Sequence, residues 1–284
     1  MNELALFAGA GGGILGGHLL GWRTVCAVEW EQYPASVLCA RQNDGFLPSF
    51  PIWDDVQTFD GKPWRGIVDV VSGGFPCQDI SSAGKGAGIE GERSSMWKHM
   101  ARIIGEVQPR YAFVENSPML TSRGLGTVLG DLAKMGFNAE WGVFSAADVG
   151  ANHKRDRIWI LAYSNLSQCK GRGVSSRIYK KNSIFSGRSS NEKMAHSTSI
   201  GQQRQGKYEQ SINSTQSSQR QTNYVKSIGT SDLWKIEPNV GRVADGVAAR
   251  VDRLKAIGNG QVPLCAATAW ELLTERLNER DRPQ

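Results

Sequence analysis

The sequence has no run of about 18 consecutive apolar residues, the length a membrane-crossing helix needs, so no such span is expected. Its opening residues, Met1-Asn2-Glu3-Leu4-Ala5-Leu6-Phe7, offer neither a basic n-region nor a small-residue cleavage site, which argues against a secretory signal. Cysteine is scarce and odd in number: the five are Cys26, Cys39, Cys77, Cys169 and Cys265. None stands in Cys-x-x-Cys spacing, which speaks against a disulfide framework or a zinc site and for free thiols in a reducing cytoplasm. No metal is therefore expected. From Ser164 to Asp232 there is no tryptophan, and acidic residues are rare there too.

That acid-poor stretch holds the charge. It carries eleven Lys and Arg against three Asp and Glu, a local +8 in a chain whose net charge is +6. One basic segment on a near-neutral body fits a nucleic-acid contact surface, because phosphates are neutralised locally. A solvated basic loop would have the same composition. Hydrophobic residues make up 40% and charged residues 21% of the 284, ordinary for a globular protein with ample length for a core.

Residues 1–163 read as short apolar strands alternating with helices. Leu4-Ala5-Leu6-Phe7 stops at Gly9-Ala10-Gly11-Gly12-Gly13, and Thr24 to Val28 ends on Glu29. Ile67 to Val71 runs into Ser72-Gly73-Gly74, and Tyr111 to Val114 into Glu115-Asn116. Trp97–Val107 and Leu125–Met135 have helical spacing, and Arg157 to Ala162 is a late strand. Such alternation predicts an α/β fold with a mostly parallel sheet covered on both faces. Residues 164–232, rich in Ser, Gln, Asn, Lys and Arg, predict a small loop-rich lobe or a partly disordered segment. Residues 233–284 are expected to return to the first domain, ending in a helix from about Leu264 to Arg276.

A glycine cluster between a strand and a helix lets a backbone approach a nucleotide, with helix N-terminal amides aimed at the ligand. Glu29, ending the second strand, can accept from both hydroxyls of a ribose, and Asp54-Asp55 could receive an adenine amino group. Together they point to an adenosine-containing cofactor. Three of the cysteines, Cys26, Cys39 and Cys265, read as buried packing residues. Cys77 differs: it follows a strand and Pro76 in a glycine-flanked turn, at the sheet edge where open α/β sheets bind ligands. Glu115 supplies an acid at the next strand end, although a helix cap would look the same.

In these stretches the sequence resembles the DNA cytosine-5 methyltransferase family. Phe7-Ala8-Gly9-Ala10-Gly11-Gly12 is similar to its first cofactor motif, Glu29-Trp30 to its second and Asp55-Val56 to its third. Gly74-Phe75-Pro76-Cys77-Gln78 resembles the proline-cysteine motif, and Glu115-Asn116 the glutamate-asparagine motif. His153-Lys154-Arg155-Asp156-Arg157 resembles the basic motif, and Gly258-Asn259-Gly260 the C-terminal cofactor motif. They occur in family order. Gly260-Gln261 departs from the pattern, where members more often carry a small residue and valine.

The resemblance implies a Rossmann-like fold dependent on S-adenosylmethionine, with a target-recognition lobe at 164–232. It implies Cys77 as nucleophile, Glu115 as the acid at the base, Arg157 at its carbonyl oxygen and Arg155 near the cysteine and phosphate. Cofactor contacts would come from Phe7, Gly9, Ala10, Gly11, Gly12, Glu29, Trp30, Asp55, Val56, Gly74, Pro76 and Asn259. Substrate contacts would come from Gln78, Ser81, Lys85, Arg93 and Asn116, with Gly84, Gly86, Gly88 and Gly91 giving freedom to a closing loop. The expected partner is double-stranded DNA, met by a monomer in the cytoplasm, at the nucleoid of a prokaryotic or phage-infected cell. A transfer-RNA cytosine methyltransferase and a catalytically inactive DNA-binding homologue are the alternatives.

Overall fold

The computed structural model describes residues 1–76, 96–164 and 250–280. Among the described residues, seven strands form a single sheet: β1 (Asn2–Leu6), β2 (Arg23–Val28), β3 (Ile52–Trp53), β4 (Val70–Gly74), β5 (Tyr111–Asn116), β6 (Phe137–Phe144) and β7 (Arg157–Ser164). Their order across the sheet is β3-β2-β1-β4-β5-β7-β6. β1 pairs in parallel with β2 and β4, β2 with β3, and β4 with β5, whereas β7 runs antiparallel to both β5 and β6. The expected α/β class with a mostly parallel, Rossmann-like sheet is what the chain adopts.

Both faces are covered, as continuous apolar strands require. Helices α3 (Met96–Val107), α4 (Leu120–Arg123) and α5 (Leu125–Lys134) lie on one face. There Leu4, Leu6, Val71, Val114 and Ile160 join Trp97, Met100, Ile104, Leu120 and Leu132 in one buried cluster. α3 buries Trp97, Met100, Ile103, Ile104 and Val107, a stripe at helical spacing. Each such side chain contributes about 1.5–3 kcal/mol relative to exposure. α1 (Gly12–Leu19), α2 (Gln32–Asn43) and the final helix cover the opposite face.

The late elements are α6 (Arg250–Asn259) and α7 (Pro263–Arg280). α7 extends the expected helix at both ends and packs on α1, β6 and β7. Trp270 is its anchor, with its ring 4.6 Å from Trp22, 5.2 Å from Tyr111 and 5.3 Å from Phe113, each edge-on.

Three details differ from expectation. The fourth strand begins at Val70, because Ile67 is exposed and Val68 follows a short 3-10 turn at Lys62–Trp64. β6 carries no clear apolar signal, since only its end residues Phe137 and Phe144 are buried and Gly142 interrupts it. Cys39 is exposed, contrary to its reading as a packing residue: α2 buries Pro34 and Leu38, and Cys39 is turned away from that stripe. Cys26 and Cys265 are buried as expected.

Candidate active site

A cavity of about 530 Å³ opens at the carboxyl ends of the parallel strands. Phe7 and Gly9 after β1, Glu29 and Trp30 after β2, Asp54 to Gln57 after β3, Gly74 to Pro76 at the end of β4 and Glu115 to Ser117 at the end of β5 line it. Arg157 and the α6 residues Ala256, Gly258 and Asn259 complete the wall. Parallel strands place all these turns at one edge, so the chemistry collects where the loops are free of ladder pairing.

The first turn is held by Glu29. Its Oε2 accepts from the Gly9 amide at 2.6 Å and its Oε1 from the Glu31 amide at 2.8 Å. Burial raises the Glu29 carboxyl above its ordinary range, and those two amides oppose the rise. Phe7 adopts a left-handed φ of 52°, a costly conformation for a bulky side chain, and thereby turns the chain toward Gly9. Trp30 stands 73% exposed beside the cavity, a free aromatic face at its rim. Glu31, at the N-cap position of α2, pairs with Lys255 at 2.8 Å, fastening α6 over the same rim.

Ala10, Gly11 and Gly12 lie beyond the cavity lining. Gly11 closes the turn, its amide donating to the Ala8 carbonyl at 3.1 Å. A side chain at Gly12 would strike the backbone carbonyl of Gln261, so its requirement for glycine comes from the C-terminal segment. Asp55 spends Oδ1 on the Gln57 amide at 2.8 Å, and Asp54 caps Asp55. Val56 is buried against the core while edging the cavity.

The end of β4 is pinned from two sides. Phe75 is buried with its ring 5.5 Å from Trp97, and its carbonyl accepts from Asn116 Nδ2 at 3.0 Å. The expected substrate contact Asn116 is thus engaged with the backbone, and Pro76 follows in the exposed turn. Cys77, Gln78, Ser81, Lys85, Arg93 and the closing loop lie outside the described residues, as does nearly all of the basic segment and its expected lobe.

Alternation along β5 sends Glu115 and Asn116 to opposite faces. Glu115 is buried, and its Oε1 lies 2.8 Å from Nε of Arg157 at the start of β7. Because β7 is antiparallel, its first residue arrives at the edge where the parallel strands end. Burial pushes the Glu115 carboxyl above its usual range, while Arg157, Arg155 and Gln261 pull against that rise. The arrangement holds a buried carboxyl, raised above its usual range, beside a guanidinium, which suits stabilising a polarised heterocycle.

Arg155 takes a different position from Arg157. Its guanidinium donates to the carbonyls of Gly258 at 2.5 Å and Gly260 at 2.6 Å, on either side of Asn259. It therefore ties the basic motif to the α6 wall. Gln261, which carried no sequence expectation beyond a departure from pattern, donates from Nε2 to Glu115 Oε2 at 3.4 Å.

Several known methyltransferases are similar to this chain. Type II methyltransferase M.NgoBI of Neisseria gonorrhoeae is 34% identical over 168 residues, covering 58% of this chain and 51% of that protein. Type II methyltransferase M.HhaI of Haemophilus parahaemolyticus is 30% identical over 169 residues, covering 58% of this chain and 50% of its own. The chain spans about half the length of these curated relatives. Among solved structures, the S. pombe Dnmt2 methyltransferase aligns at 21% identity with a TM-score of 0.47, over 58% of this chain and 51% of that one. The family model for C-5 cytosine-specific DNA methylase matches residues 1–263. The chain, with that match over most of its length, belongs to the C-5 cytosine-specific DNA methylase family.

Proposed function

We propose that this protein transfers a methyl group from S-adenosylmethionine to carbon 5 of a cytosine flipped out of double-stranded DNA. The observation that carries the reading is the Glu115–Arg157 pair, 2.8 Å apart at the cavity edge, beside the turn Gly74-Phe75-Pro76 that leads into Cys77. Family membership supplies the reaction class, and the pair supplies the groups the reaction needs.

The cavity fits the donor. Glu29 would face ribose hydroxyls, Trp30 the adenine face, and Asp55 the adenine edge, with Gly9 allowing close backbone approach. Asn259 on α6 and Gly74 at the end of β4 would bound the far side. When bound, S-adenosylmethionine supplies an electrophilic methyl on a sulfonium.

Carbon 5 of cytosine is a poor nucleophile, so a thiolate at Cys77 first adds to carbon 6 and makes carbon 5 enamine-like. Glu115, protonated, donates to ring nitrogen 3 as negative charge builds, and Arg157 meets the carbonyl oxygen at carbon 2. After carbon 5 takes the methyl, its proton is removed and the Cys77 sulfur is expelled. Extrusion of the base is required because carbon 6 is shielded in the stack. Residues 1–163 would form the catalytic domain, 164–232 the DNA-reading lobe and 233–284 the return to the catalytic body.

Duplex DNA bearing 5-fluorocytosine tests this, because fluorine blocks the final proton loss. The expected result is a cofactor-dependent covalent adduct at Cys77, absent with matched RNA. An adduct at another residue, transfer to RNA alone, or full activity in Cys77→Ser would overturn the reading.

A further inference from the structure

Gln261 sits at the junction of three parts of the site. A Cβ on Gly12 would strike its backbone carbonyl, one on Gly13 its Oε1, and one on Gly74 would come within 3.1 Å of its Nε2. Gly13 on α1 and Gly74 on β4 thus clear space for its amide side chain, and Gly12 for its backbone. Nε2 donates to Glu115 Oε2 at 3.4 Å, the oxygen left over by Arg157, whose Nε stands 2.8 Å from Oε1. Gln261 approaches from the α1 and α7 face, behind Glu115 as seen from the cavity, and is absent from the cavity lining.

We propose that Gln261 is a positioning residue for Glu115, fixing the carboxyl's second oxygen so that the first stays aligned with Arg157 and the plane stays aimed into the cavity. This rests on the reading of Glu115 as the acid of methyl transfer. The physical case is one of matching partners. A buried carboxyl held at one oxygen only can turn about its last bond, and the second oxygen would be left without a donor. A second arginine or lysine there would hold the group ionised and unfit to donate a proton. A primary amide avoids both outcomes. It offers N–H to a carboxylate and, turned over, a carbonyl to a carboxylic acid, so Glu115 keeps a partner in either protonation state, the bond to the charged form being the stronger and drawing the carboxyl downward.

The test uses the full chain and two readouts. Infrared titration follows the carboxylic-acid band that disappears in Glu115→Gln, in the wild type and in Gln261→Met, which keeps side-chain length without the amide. Gln261→Glu is a second variant should Gln261→Met fold poorly. The expected result is an upward shift of the Glu115 titration in both variants. Steady-state methyl transfer by Gln261→Met is expected to show kcat down about tenfold, its pH limb displaced upward, and the cofactor KM within about twofold of wild type. A Glu115 titration unmoved by loss of the amide overturns the proposal, as does a moved KM with unchanged kcat. Should the titration shift while wild-type protein methylates no cytosine, the functional reading fails and the hold of Gln261 on Glu115 stands.

Discussion

Arg157 reaches Glu115 diagonally across an antiparallel pair of strands. Glu115 has Trp159 as its register partner, and Arg157, two positions earlier, projects to the same face with Nε 2.8 Å from Oε1. The pairing is set by β-sheet register and needs no flexible loop to form.

Removing either partner is expected to lower kcat by about 10²–10⁴, the range for an acid acting in the transition state. Glu115→Gln should do so with the fold intact, as followed by thermal unfolding. Arg157→Met has an added signature in pH. Burial already raises the Glu115 carboxyl and Arg157 is the first force opposing it, so loss of the guanidinium raises it further. An acid that must be protonated loses activity as pH climbs through its pKa. The alkaline limb of kcat in Arg157→Met is therefore expected at higher pH than in wild type, and a limb at lower pH would refute the assignment.

Arg155 and Arg157 should separate kinetically. Arg155→Ala removes the clamps on Gly258 and Gly260, charge-assisted bonds of about 1.5–3 kcal/mol each. Since those carbonyls flank Asn259 in the cavity wall, cofactor affinity is expected to fall by at least about tenfold with kcat changed less. Calorimetric binding and single-turnover rates distinguish this from the kcat loss expected of Arg157→Ala. Equal effects of the two substitutions on both parameters would contradict it.

Glu3 predicts a slope in stability. It is buried mid-sheet, accepting from Thr24 Oγ1 at 2.7 Å and Ser72 Oγ at 2.6 Å, and burial raises it to about 7 from 4.5. The folded chain keeps a proton that the unfolded chain releases between those two values. Its contribution is full below pH 4.5, declines as pH rises toward about 7, and is flat above that. The total is on the order of 3 kcal/mol. Glu3→Gln should remove this slope and raise the unfolding temperature above pH 7, in parallel scans of the two proteins at several pH values.

Gly74 should be intolerant of even one carbon. A Cβ there would collide with Glu115 Oε2. Gly74→Ala is expected to cost about 1–3 kcal/mol, and most of that cost should vanish in the Glu115→Ala background. Denaturant unfolding of the four proteins in the cycle checks it; an unchanged cost in the double variant would place the strain elsewhere.

Much of this was readable in the chain because buried parallel strands have to be apolar. Leu4–Leu6, Thr24–Val28 and Tyr111–Val114 announce themselves, and so do the acids Glu29 and Glu115 that end two of them. β6 did not, since an edge strand buries little and Phe137 and Phe144 are too far apart to set a period. Cys39 misled because burial depends on helix phase, which residue type does not reveal. Gly12 was legible as a glycine, yet its reason was not: the group that excludes a side chain comes from the far end of the fold. Gln261 was legible only as a departure, because a neutral amide advertises no chemistry until its partner is known.

The contact between Gly12 and Gln261 also bears on biosynthesis. A ribosome releases the glycine turn early and the segment that lies upon it much later. Until both are present, the cavity lacks its α6 wall and Glu115 lacks its second partner. A nascent chain that has folded only its leading strands is thus expected to hold Cys77, the proposed nucleophile, before the rest of the site is assembled, and the site is completed when the distant segment docks.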